Sequence, residues 1–103
     1  MKAKIEKLKD LIKVQDGSVV SKTLIKKKVG TVTLFAFDSG EALSTHSASY
    51  EAMVQVLAGS VKIVISGKQY ILKSGDMIIM PANEPHSLEA LTKFKFLLTM
   101  IKE

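Results

Sequence analysis

From Ser18 onward, apolar side chains recur with a period of two, a spacing that puts them on one face of a β-strand and scatters them around a helix. Runs rich in Val, Ile, Leu, Phe and Thr predict strands over residues 19–26, 31–37, 52–57, 61–66, 69–72, 77–80 and 94–101. Asp38-Ser39-Gly40, Ala58-Gly59, Ser66-Gly67 and Ser74-Gly75-Asp76 lie between them and supply the turn residues that reversal of the chain requires. Short strands joined by such turns build a sandwich or a small barrel, so the fold class is all-β. Val61, Ile63 and Ile65 share one face and Lys62 and Ser66 the other, as expected of a sheet with a single buried side.

Two segments break that rule. Residues 77–80 and 94–101 are apolar on both faces, and an outward apolar face calls for a partner, which we expect to be a second copy of the chain in a homodimer. At the N-terminus, Ile5, Leu8, Leu11 and Ile12 recur at helical spacing between lysines, predicting a short amphipathic helix that closes near Gly17.

The 103 residues suit one domain, an N-terminal helix or arm over 1–17 and a β-barrel over 18–103. No apolar run approaches the ~20 residues of a membrane span. Lys2, Lys4, Lys7, Lys9 and Lys13 interrupt any secretory leader, so a soluble, cytoplasmic protein is expected. The apolar stripe of the N-terminal segment is too short for a membrane anchor. Cysteine is absent, excluding disulfides, thiolate ligands and cysteine nucleophiles. The net charge of +5 is concentrated in residues 1–28, with nine lysines against three acids; residues 29–103 carry six against seven. Every basic residue is lysine, and without the planar arginine fork the chain lacks the usual grip on phosphate and guanine, so no nucleic-acid partner is expected.

Chemistry converges on the two histidines, His46 and His86. Gly40 precedes His46 by six positions and Gly59 follows it by thirteen; Gly75, Pro81 and Asn83 precede His86. In these two stretches the chain resembles the cupin superfamily, whose motifs run G-x5-H-x-H-x3,4-E-x6-G and G-x5-P-x-G-x2-H-x3-N. Gly40, His46 and Gly59 match the first motif, and Gly75, Pro81 and His86 match the second. The resemblance spans residues 40–90 and implies an antiparallel jelly-roll (cupin-type) barrel with both imidazoles directed into one cavity. It also exposes departures: Ala48 stands where the family has a second histidine, Ala52 where it has an acid or amide ligand, Asn83 at the inner glycine and Ala90 at the final asparagine.

With two of four expected metal ligands replaced by alanine, His46 and His86 hold a divalent transition metal weakly unless a carboxylate joins them. Glu51 is one position out of phase with Ala52, and Gln55 shares that outward phase; only a bulge at Ser49-Tyr50 would turn the acid inward. Alternation from His46 and Ala52 puts Ala48, Val54 and Val56 on the cavity side. The expected site is therefore a small apolar pocket of His46, Ala48, Ala52, Val54, Val56 and His86, taking a small organic ligand without a tightly held metal. His46 and His86 are the candidates for any proton transfer. Three other readings stay open: a metal-dependent cupin enzyme of oxygenase or isomerase type with His46 and His86 as ligands, a partner-binding barrel using its apolar outer strands, and histidines that only satisfy buried backbone groups. Met53, Met77, Met80 and Met100 read as core or interface filler, since thioethers pack well into irregular gaps. The stretch 81–85 reads as a loop that shapes the approach to His86.

Overall fold

The structure, a computed structural model, describes residues 3–102. Nine strands follow one another: β1 (Val19–Lys27), β2 (Gly30–Phe37), β3 (Ala42–His46), β4 (Glu51–Ala58), β5 (Ser60–Ile65), β6 (Lys68–Lys73), β7 (Met77–Met80), β8 (His86–Ala90) and β9 (Phe94–Ile101). They form two sheets in the orders β1-β2-β9-β4-β7 and β3-β8-β5-β6, with every pairing antiparallel. Neighbours distant in sequence, such as β2 with β9 and β3 with β8, make this a jelly roll, the architecture expected.

The core lies between the inner faces. Val54 and Val56 of β4, Val61 and Ile63 of β5, and Phe94 and Phe96 of β9 are at most 3% exposed. All four phenylalanines of the chain belong to one cluster on the inner face of the larger sheet. Register places Phe35 opposite Phe96 and Phe37 opposite Phe94, with Phe35 stacked on Phe96 at 5.0 Å and Phe37 set edge-on to Phe94 at 5.7 Å. Cross-strand aromatic pairs of this kind hold register as well as burying area.

The N-terminal segment departs from expectation. In place of an amphipathic helix it is an irregular arm with one 3-10 turn at Leu8–Asp10; Met1 and Lys2, the start of the expected helix, lie outside the described residues. Isolated short helices are marginal in water, and here tertiary contacts decide. Ile12 is buried against Leu34 and Ala36, with Leu11, Val14, Leu57 and Leu97 packed around them on the outer face of the larger sheet. Asp38 fastens the end of the arm, accepting hydrogen bonds from the Gly17 N–H at 2.7 Å and the Ser39 N–H at 2.8 Å, and those donors hold its carboxyl below the usual carboxylate pKa. The arm thus covers Leu97, one of the outward apolar residues of β9.

Gly59 sits at φ +78° in the β4–β5 turn, and a Cβ there would collide with the Lys93 carbonyl, so steric fit and backbone conformation together demand glycine. Because Phe37 is fully buried among the other rings, Phe37→Ala is expected to destabilise the fold by about 3–5 kcal/mol, read from the midpoint of urea unfolding.

Candidate functional site

Both histidines lie on strands that their own sequence hides. β3 and β8 fall where no strand is predicted, because Ser44 and Thr45 in β3, and Asn83 and Pro85 just before β8, obscure short strands whose partners are distant in sequence. Once paired, they set His46 directly opposite His86.

A β-bulge makes this opposition productive. Leu43 pairs with Leu88, but the next paired residues are His46 and His86, so Ser44 and Thr45 together face the single residue Ser87. On a regular strand of the same length, His46, three positions from Leu43, would have the opposite parity and point out of the barrel. With it, Leu43, His46, His86 and Leu88 all line one cavity. The parity reversal weighed at Ser49-Tyr50 therefore occurs earlier and acts on His46, whereas Ala52 stays buried and Glu51 exposed.

The imidazoles are held alike from behind. His46 Nδ1 is 2.9 Å from the carbonyl of Ser44, within the bulge, and His86 Nδ1 is 3.2 Å from the carbonyl of Glu84. A carbonyl can only accept, so both Nδ1 atoms carry hydrogen, and a neutral ring then has a bare Nε2. These two Nε2 atoms face each other at 3.2 Å, the rings meeting edge to face with centroids 4.3 Å apart. Two unprotonated acceptors at that distance repel, and the arrangement is relieved by a proton, a ligand N–H or O–H, or a cation between them.

His46 is exposed and His86 only 7% exposed, so the pair leads from solvent to the interior. Desolvation lowers the His86 pKa below its ordinary value; the bond to the Glu84 carbonyl works in the opposite direction, and the charge of His46 adds to the lowering. Pro81 and Pro85 bracket the loop before His86, in which Asn83 adopts φ +67° and its N–H binds the Ala48 carbonyl at 2.7 Å. The asparagine thus has the left-handed geometry for which the cupin pattern uses glycine.

Of the residues expected to form the pocket, His46, Ala48, Ala52, Val54 and His86 line the cavity. Val56 does not: it points inward but lies farther along β4, in the core opposite Phe96. Spacing along one strand missed the residues that complete the wall, namely Phe35, Leu43, Met80, Leu88, Phe96, Leu98 and Met100, because β2, β3, β7, β8 and β9 contribute them. The cavity measures about 60 Å³, room for on the order of four or five water-sized groups.

A divalent metal does not fit the donors present. Zinc, iron and manganese sites take three or four nitrogen, oxygen or thiolate ligands, and no cluster of three His, Cys, Asp or Glu side chains occurs among the described residues. Ala48 and Ala52 bring only methyl groups to the wall.

Fold and site together define a two-sheet β-barrel with a small cavity at the level of its histidines. The Cupin domain family matches residues 33–101, and the chain belongs to that family. A conserved protein of unknown function from Streptococcus pyogenes is 32% identical, with a TM-score of 0.95 over 100% of this chain and 90% of its own. A cupin 2 conserved barrel domain protein from Leptotrichia buccalis is 38% identical with a TM-score of 0.88; the match covers 91% of this chain and 46% of that one. A cupin superfamily protein from Desulfitobacterium hafniense shares the fold at a TM-score of 0.94 and 22% identity, over 100% of this chain and 94% of its own. Comparison with curated proteins gives no match. Among the described residues no helix is long and apolar enough to cross a membrane.

The lowered His86 pKa sets a pH dependence. Below the ordinary value of 6.5, the unfolded chain takes up a proton at His86 before the folded chain does, so stability present above that pH declines as pH falls toward the folded value. The melting temperature should drop between about pH 7.5 and about pH 5, and the drop should be shallower in His86→Gln. Equal slopes in the two proteins would exclude His86 as the group responsible.

Proposed function

We propose that this cupin binds a small organic molecule in the barrel cavity through His46 and His86, without depending on a tightly held divalent metal. The observation that carries the reading is the pair of Nε2 atoms facing each other at 3.2 Å with both Nδ1 atoms on backbone carbonyls; in neutral rings both Nε2 atoms accept, and a ligand hydroxyl, enol or N–H group can donate to one or both. The apolar walls and the small volume favour a compact molecule of a few heavy atoms with one polar end. His46, nearer solvent, can exchange a proton with such a ligand, so the same geometry serves recognition or acid–base chemistry.

Chemical-shift titration of metal-free protein with a panel of short-chain acids, alcohols and enols tests this. At least one member should shift the amides of Leu43, Ala48 and Leu88, and the shifts should disappear in the His46→Ala, His86→Ala double variant. A stoichiometric divalent metal in protein purified without an affinity tag, lost in the same double variant, would instead establish the metal-dependent enzyme.

We further propose that a second copy of the chain covers the outer face of the larger sheet. Ile79, Met53, Thr99, Val32 and Ile25 lie in one cross-strand row over all five strands, beside the surface occupied by the arm. Ile79 and Ile25 at its ends are each 52% exposed, and a row this wide suits a two-fold contact between identical faces. Light scattering should give a dimer that Ile79→Lys converts to monomer; a monomeric parent protein would refute the contact.

A further inference from the structure

The cavity contains more donor chemistry than its histidines. Phe35, Leu43, Val54, Leu88, Phe96, Leu98 and the two alanines of its wall carry only hydrocarbon side chains. The remaining wall residues are His46, His86, Met80 and Met100, so the side-chain heteroatoms are the nitrogens of two imidazoles, of which the two Nε2 are not tied to a backbone carbonyl, and two thioether sulfurs, with no side-chain oxygen. The methionines are also placed systematically. Met80 pairs with Ala52 from β7 and Met100 pairs with the same alanine from β9, so the two flank the position where the cupin pattern has its acid or amide ligand.

From this arrangement we propose that His46, His86, Met80 and Met100 form a binding site for monovalent copper. The thioethers select Cu(I), which imidazole also suits, while calcium, magnesium and manganese favour oxygen. Charge favours the same ion, because the desolvation cost of burying a cation rises with the square of its charge, and this wall offers no anionic side chain to offset it. The Nε2 lone pairs already converge, and Ala52 leaves the flanking thioethers room to approach. Binding is simple coordination, with no change in the oxidation state of the copper. The site does not depend on the organic-ligand reading, and in a cavity this small the two occupants exclude one another.

Anaerobic titration of the metal-free, untagged protein with Cu(I), using bicinchoninate as the coloured competitor, tests the site. One equivalent of copper should transfer to the protein, and X-ray absorption at the copper edge should show both nitrogen and sulfur neighbours. The Met80→Leu, Met100→Leu variant preserves side-chain volume and should keep the fold, as read by circular dichroism, yet bind Cu(I) at least tenfold more weakly and without the sulfur shell. Zn(II), titrated in parallel against a coloured zinc chelator, should bind more weakly than Cu(I). Failure of the parent protein to take copper from bicinchoninate, an unchanged affinity in the leucine variant, or tighter binding of zinc than of copper would each overturn the assignment. Amide shifts with organic ligands, recorded without copper, keep their own meaning in all these cases.

Discussion

A single extra residue in β3 determines what this barrel can do. The bulge at Ser44-Thr45 shifts parity by one, and parity in a strand is binary: a side chain faces either the interior or solvent. Leu43 before the bulge and His46 after it consequently share the inner face, which brings the second imidazole opposite His86. The Ser44 carbonyl of the same bulge binds His46 Nδ1, so one irregularity both aims the ring and selects its tautomer. Opposite it, the loop of Pro81, Asn83 and Pro85 delivers His86 with its Nδ1 tied to the Glu84 carbonyl. This leaves the two Nε2 atoms in contact at 3.2 Å, and in neutral rings the resulting meeting of two acceptors is relieved by a proton or by an electron-poor group that both can face.

The surrounding fold gives the histidine pair an apolar wall. Four phenylalanines pack together along β2 and β9, and two of them, Phe35 and Phe96, also form part of the cavity wall. Where the cupin pattern would place further ligands, Ala48 and Ala52 leave space, and Met80 and Met100 border it from the neighbouring strands. The loss of hard donors and the presence of soft ones therefore coincide at one place in the barrel. The outer face follows separate rules: the arm buries one part through Ile12, and the adjoining row of Ile79, Met53, Thr99, Val32 and Ile25 is half-buried in its middle and exposed at both ends.

How much of this could be read beforehand depended on the range of the forces involved. Alternation along β1, β2, β4, β5, β6, β7 and β9 is a local signal, and those strands were legible to within a residue or so at their ends. The glycine, proline and histidine spacings identified the cupin barrel and the shared cavity. Hidden were β3 and β8, whose short sequences become strands by pairing with partners distant along the chain, β3 with β8 and β8 also with β5. The arm was misread for a related reason: the spacing of Leu8, Leu11 and Ile12 is helical, but the surface of Leu34, Ala36 and Leu97 captures the segment in another conformation.

By itself, the sequence determined the all-β class, the family, and the identity of the two imidazoles, because these depend on periodicity and on rare residues at set spacings. Tertiary structure alone decided that a bulge at Ser44-Thr45 is what turns His46 inward, that Val56 stays in the core, and that two methionines suited to filling space meet the histidines at one cavity. These outcomes arise from register between strands distant along the chain. Pairing energy is collected across the sheet, so no window of neighbouring residues contains the information that sets it.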